Sequence, residues 1–236
     1  IRRPPRSTLF PYTTLFRSEE ARFDNFVAAG NGEIIEKLHH LATGDLSSTL
    51  YLYGNNGVGK SHLLHAACQQ AEKSEVGFLY LPLSDLVEFD ATLLSSVNPV
   101  QLICVDDLQQ IRGRLEWQNA LFHLYNRFQQ AGSSMVFAAD CKVSELNLVL
   151  ADLVSRLNHA VLYRLSPLND AGNAQLLKLR ARQRGLEIKD DALQFLLARV
   201  PRNTSALLRL WEHIDRLSLA AGRRVTIPLI KEVLAE

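Results

Sequence analysis

The sequence predicts an α/β protein: a five-stranded parallel sheet with helices on both faces, followed by a small all-helical domain. Three observations lead there. Short apolar, β-rich runs at 49–53, 77–81, 102–105, 135–139 and 161–165 alternate with helical patterns, the signature of a parallel sheet covered on both sides. The first run leads directly into a glycine loop and then a helix. Composition then shifts at Ser166-Pro167-Leu168-Asn169-Asp170, beyond which every apolar pattern is helical. These points divide the chain into a core, 19–165, and a helical unit, 166–236.

Residues 1–18 stand apart. They contain two near-repeats, Ser7-Thr8-Leu9-Phe10 and Thr13-Thr14-Leu15-Phe16, with prolines and no helical or strand period. The segment resembles translated sequencing-adapter read-through, the alternative being a disordered basic arm that binds nucleic acid, and it is left out of the fold. It holds Arg2, Arg3, Arg6 and Arg17 and no acid, so without it 22 basic residues face 25 acidic ones and the formal charge moves from +1 to −3. A mildly acidic body gives no general electrostatic reason to bind DNA. No apolar run reaches the roughly 18–20 residues of a membrane helix. Cys68, Cys104 and Cys141 have no metal spacing and are odd in number. They read as free thiols in a reducing cytoplasm.

The run at 49–53 reads as a buried strand. After it, Gly54-Asn55-Asn56-Gly57-Val58-Gly59-Lys60-Ser61 fits G-x-x-x-x-G-K-[ST]. Glycines let this backbone curl until successive N–H groups face phosphate oxygens, and the following helix adds its positive N-terminal end. The motif predicts nucleotide binding by residues 54–61 and by His62 in the helix's first turn. Lys60 reaches the β- and γ-phosphates, and Ser61 supplies a hydroxyl to Mg²⁺. Leu63, Leu64, Ala67, Cys68 and Ala71 give the helix one apolar face.

The second strand is expected at 77–81. The third, Leu102-Ile103-Cys104-Val105, ends at Asp106-Asp107. Beside a phosphate loop, an acid ending a buried strand positions Mg²⁺, and its neighbour orients the water that attacks the γ-phosphate. Asp106 and Asp107 take these roles, Asp107 with one methylene fewer than glutamate. A helix bearing Trp117, Leu121, Leu124, Tyr125 and Phe128 follows. The fourth strand, 135–139, ends at Asp140, which either senses the γ-phosphate or serves as a strand-end turn residue. In open parallel sheets ligands bind at the carboxyl ends of the strands, where all three acids fall. Arg112 and Arg114 lie in a loop that touches a partner or is simply exposed.

In the helical unit, Asp190 is expected to cap a helix carrying Leu193, Leu196, Leu197 and Val200. A longer helix bears Leu207, Leu210, Trp211, Ile214 and Leu217, and Thr226 caps a last helix that tolerates Pro228 in its first turn. Lys178, Arg180, Arg182 and Arg184 alternate, spread around their helix and read as a solvated face. His39-His40 lacks metal-ligating partners.

Several segments together resemble a known family: Phe23-Asp24-Asn25-Phe26-Val27, Lys60-Ser61-His62-Leu63-Leu64-His65-Ala66, Val105-Asp106-Asp107, Leu124-Tyr125-Asn126-Arg127 and Leu153-Val154-Ser155-Arg156-Leu157. They look like the AAA+ ATPase module of the DnaA replication-initiator family, and the likeness covers residues 22–236. Within it the chain is closer to the Hda group of regulatory inactivators, on residues 179–182 and 225–228 and because it stops after the helical lid, without room for a helix-turn-helix DNA-binding domain. The resemblance implies a P-loop AAA+ core with a five-stranded parallel sheet and a small all-helical lid. It implies ADP or ATP with Mg²⁺, an adenine pocket lined by Phe26 and Val27, Asp140 at the first sensor, and Arg156 as an arginine finger acting across a subunit boundary. The family's lid arginine falls on Ser205 here, with Arg202 upstream and Arg209 one turn on. The family's clamp-binding peptide lies at the extreme N-terminus, where this chain has residues 1–18.

The function so implied is regulatory. Together with the DNA-loaded sliding clamp, such a protein makes the DnaA initiator hydrolyse its ATP and prevents re-initiation. Homo-oligomers fit the module; direct sequence-specific DNA binding and membrane association do not. The alternatives are a self-sufficient AAA+ ATPase such as a helicase loader, whose turnover rises on self-assembly or with single-stranded DNA, and an initiator fragment lacking its DNA-binding domain.

Overall fold

A computed structural model describes residues 21–200, 204–221 and 224–235; the segment 1–18 and Arg202 lie outside the described residues. Five strands form the sheet: β1 (Thr49–Tyr53), β2 (Phe78–Pro82), β3 (Leu102–Asp106), β4 (Ser134–Ala139) and β5 (Val161–Arg164). All pairings are parallel and the order is β2-β3-β4-β1-β5. Helix α1 (Gly32–Thr43) precedes β1, and α2 (Lys60–Lys73), α3 (Leu83–Leu86), α4 (Leu115–Gln130) and α5 (Ala151–Asn158) lie between successive strands.

Alternation along the strands divides the core. Leu50, Leu52, Cys104, Val136 and Ala138 face one side, where they pack with Leu38 and Leu41 of α1 and Leu63, Leu64 and Ala67 of α2. Tyr51, Ile103, Val105, Met135 and Phe137 face the other, against Trp117, Leu121 and Phe128 of α4 and Leu153 and Leu157 of α5. All six residues of β4 and all five of β3 are buried, as central strands should be. The expected fifth strand exists, but it lies at the sheet edge: Val161 and Leu162 are 49% and 45% exposed, so its apolar character does not reflect burial. Helix α1 carries no reading in the sequence, yet Ile34, Leu38 and Leu41 pack into the core on one sheet face beside α2.

The lid consists of α6 (Asp170–Gln183), α7 (Asp190–Leu197), α8 (Thr204–Ala221) and α9 (Ile227–Ala235). Leu177, Leu193, Leu196, Trp211, Ile214 and Ile230 form its own core. Asp190 does not cap α7. Lys189 occupies that position, and Asp190 begins the helix, where its charge favours the N-terminus while it pairs with Lys178 Nζ at 2.7 Å. Val200 lies beyond the end of α7 and packs on the lid core. Thr226 precedes α9 as expected, its carbonyl accepting from Ile230 N–H at 3.0 Å. One lone parallel bridge, Ile188 with Val225, interrupts the all-helical pattern.

Candidate nucleotide site

The phosphate loop turns on positive-φ glycines. Gly54 has φ +155°, and a Cβ there would sit 2.6 Å from the carbonyl oxygen of Leu165. Gly59 has φ +98°, and a Cβ would meet the Phe26 ring at 2.6 Å. The loop therefore lies closely against both the chain after β5 and the segment before α1. Lys60 opens α2, is 6% exposed, and donates to the carbonyls of Gly54 at 2.6 Å and Asn55 at 3.2 Å. Burial lowers its pKa, while Asp106, Asp107 and Asp140 act to hold its proton.

Asp106 is 1% exposed. It accepts a hydrogen bond from the Ser61 hydroxyl, another from Tyr80 Oη at 2.8 Å and a third from Asp107 N–H at 2.9 Å. Burial raises its pKa despite these bonds. Tyr80, whose own phenol is pushed upward chiefly by burial, packs its ring at a 37° tilt, 4.3 Å between centroids, against His65, whose pKa burial drives down to about 4. The candidate metal ligands thus meet: a serine hydroxyl and a carboxylate, both hard oxygen donors of the kind Mg²⁺ accepts beside phosphate and water. Among the described residues no cluster of three or more His, Cys, Asp or Glu forms a self-sufficient metal cage.

Asp107 adopts left-handed backbone geometry, φ 56°, and Gln109 Nε2 donates to its Oδ1 at 2.9 Å. The other end of the same amide, Gln109 Oε1, accepts from Asp140 N–H at 3.2 Å. Asp140 pairs with Arg112, whose Nη2 lies 3.0 Å from Oδ1. Asp140 and Arg112, read separately in the sequence, are thus tied to one another. Gln109 and the pairing of Tyr80 with Asp106 went unread in the sequence, and Arg112 was read without its partner; positions two and five after Asp107 are no signal unless the turn at Leu108–Ile111 is known.

A cleft of about 70 Å³ opens beside the loop. Phe26, Val27, Gly57, Val58, Gly59 and His62 line it from the core, and Leu176, Arg180, Thr204 and Leu208 from the lid. The Phe26 and His62 rings lie 5.6 Å apart, and His62 Nε2 donates to the Arg22 carbonyl at 3.0 Å. Burial lowers the pKa of His62, and the Arg180 charge lowers it further. Arg180 is thus a wall of the cleft, and Arg184 pairs with Asp215 at 3.5 Å, so the four alternating cations are not one solvated face. Arg209 is exposed. Two larger depressions, of about 300 and 500 Å³, contain no residue of the phosphate loop and none of the strand-end acids. Arg156 is absent from the cleft lining; it sits half-buried on α5 and, among the described residues, makes no ion pair.

The family model of the bacterial DnaA ATPase domain matches residues 18–164, more than half of the chain. The chain belongs to this family. A second family model, the Hda lid domain, matches residues 170–234. Domain III of DnaA from Thermotoga maritima has a similar structure, with 22% identity, a TM-score of 0.80, and coverage of 92% of this chain and 96% of that one. AMPPCP-bound DnaA from Aquifex aeolicus matches at 21% identity and a TM-score of 0.71, over 85% of this chain and 66% of its own. RuvB from Thermotoga maritima shares the fold more distantly, at 15% identity, a TM-score of 0.69, and coverage of 91% and 71%. The first family-model match ends at residue 164 and the second begins at 170, on either side of the loop between β5 and α6. Among the described residues, no helix of this DnaA-family chain is long and apolar enough to cross a membrane.

Proposed function

We propose that the protein is an Hda-like regulator of replication initiation. It binds adenine nucleotide at the phosphate loop and, with the DNA-loaded sliding clamp, promotes ATP hydrolysis by the initiator DnaA. The observation that carries the reading is the succession of a DnaA-type ATPase domain and an Hda-type lid along one chain.

The chemistry divides by residue. Backbone N–H groups of 54–61 and the α2 N-terminus hold the phosphates, and Lys60 neutralises them. Ser61 and Asp106 are the residues that would hold Mg²⁺, which would supply charge neutralisation to the phosphates. Phe26, Val27 and His62 hold the base against the lid. Asp107, beside Gln109, is the candidate for orienting an attacking water, and Asp140 senses the terminal phosphate through its hydrogen-bonded position. Arg156 acts elsewhere. Its guanidinium keeps its charge at all working pH values and offers a planar fork of donors. With no carboxylate paired to it among the described residues, it is suited to a γ-phosphate held by another molecule.

The test is ATP hydrolysis by DnaA in the presence of this protein, clamp and DNA, each omitted in turn. Stimulation that needs all three is expected of a version in which a family-type clamp-binding peptide replaces residues 1–18, which stand here where the family carries that peptide. Arg156→Ala should leave nucleotide binding by this protein intact and cut the stimulation by roughly 10³, the scale of an arginine finger acting in trans. Full stimulation by the variant removes the in-trans mechanism, and no stimulation by the version bearing the clamp-binding peptide removes the regulatory reading.

A further inference from the structure

Asp106 is held from three directions. The β2–β3 register sets Pro82 opposite Asp106 and Tyr80 opposite Cys104, so Tyr80 stands two residues back along the neighbouring strand, on the same sheet face. Its hydroxyl crosses the diagonal and donates to Asp106 Oδ2 at 2.8 Å, while Oδ1 takes the Asp107 N–H at 2.9 Å. The Ser61 hydroxyl donates to the same carboxylate from α2. His65 lies one turn after Ser61 on that helix, and its ring packs against Tyr80 with 4.3 Å between centroids. Ser61, Asp106, Tyr80 and His65 thus close a ring of contacts across α2, β2 and β3.

An aspartate carboxylate turns about a broad, soft torsion unless both of its oxygens are held. Here the adjoining backbone holds one. Ser61 cannot act as a fixed reference for the other, because it is itself a candidate ligand of Mg²⁺. Tyr80 supplies a hydrogen bond to the second oxygen from outside the phosphate loop, across 26 residues of sequence. Together the three donors occupy most of a carboxylate's roughly four acceptor positions, which fixes its plane. Partners that orient a metal ligand in this way typically raise metal affinity by about 10–100-fold.

We propose that Tyr80 is a positioning residue of the nucleotide site, whose hydroxyl fixes the Asp106 carboxylate in the orientation that serves Mg²⁺ beside Ser61. The inference rests on nucleotide binding at this loop with Mg²⁺ served by Ser61 and Asp106. Calorimetry of AMPPCP with the full chain, in excess Mg²⁺ and again in EDTA, gives the gain in affinity that Mg²⁺ brings. Tyr80→Phe keeps the ring against His65 and removes only the donor. It should leave affinity in EDTA within about threefold of the parent and reduce the Mg²⁺ gain by about tenfold. In an Asp106→Asn background Tyr80→Phe should change the gain no further, because the hydroxyl acts through that carboxylate. Tyr80→Met, a flexible filler without a donor, should behave like Tyr80→Phe and serves if that variant misfolds. A Mg²⁺ gain left at the parental value, even with a lowered melting temperature, makes the hydroxyl a packing contact and overturns the inference. So does an equal loss with and without Mg²⁺, or a loss that persists in full beside Asp106→Asn. The underlying reading fails separately: a parent that binds no AMPPCP removes the nucleotide site, and a parent that binds equally well in Mg²⁺ and EDTA removes the metal role of Ser61 and Asp106, and that of Tyr80 with it.

Discussion

Replacing Lys60 by Met removes the loop's own cation and keeps most of its apolar stem. Lys60 is 6% exposed and its Nζ is tied to the carbonyls of Gly54 and Asn55, so the charge is held in place before any ligand arrives. A charge-assisted hydrogen bond to phosphate contributes about 1.5–3 kcal/mol. The Coulomb attraction between unit charges about 4 Å apart is about 4 kcal/mol at an effective dielectric constant near 20. These overlap and are not summed; the loss expected is about 3–4 kcal/mol, or about a hundredfold to a thousandfold in affinity. The variant also leaves Asp106, Asp107 and Asp140 without the cation they surround, which deepens the deficit for triphosphate. Calorimetric titration with ADP and AMPPCP measures it, and thermal melting checks that the core, in which Leu63 and Leu64 are fully buried, stays folded. A well-folded variant with parental affinity for both nucleotides would refute the assignment of this loop as the phosphate site.

His65 supplies a pH test. Its folded pKa of about 4 lies below the ordinary 6.5, so the unfolded chain takes up a proton first as pH falls. The stability this neutral ring contributes is therefore complete above pH 6.5 and declines between 6.5 and about 4, by at most about 3 kcal/mol. Urea unfolding at pH 7.5 and 5 should show a smaller difference for His65→Phe than for the parent; an equal difference would place the acid sensitivity elsewhere. Gly54→Ala should destabilise the domain by about 2 kcal/mol or more, because the added methyl meets the Leu165 backbone oxygen at 2.6 Å and neither can rotate away. A melting temperature within a degree of the parent would show that the loop yields at no cost.

The phosphate loop, its strand and its helix were legible because their chemistry is written in consecutive residues. The strand-end acids were legible because an apolar run of strand length must end where polarity begins. Contacts that bring distant positions together were not. Arg112 reaches Asp140 across 28 residues and Gln109 reaches the same aspartate's N–H across 31, so no local period announces either. The basic run 178–184 misled for a related reason: alternation spreads side chains around a helix, but only the folded lid decides that Arg180 turns toward the cleft while Lys178 and Arg184 find carboxylates. The fifth strand lies where the sequence puts it, but its place at the sheet edge, with Val161 and Leu162 exposed, is set by strand order and not by local apolarity.

The strand order has a consequence for synthesis. β1, which launches the phosphate loop, lies between β4 and β5, and these are the last two strands to be made. On a ribosome, Leu50 and Leu52 wait without a hydrogen-bonding neighbour until residues 134–139 emerge, while β2 and β3 have one another. The half of the sheet that grips phosphate is thus assembled by long-range closure, the slower kind of contact to form. A nascent chain truncated before β4 carries the whole glycine motif but no scaffold to hold its curl, so ligand cannot serve as an early template for the domain that binds it.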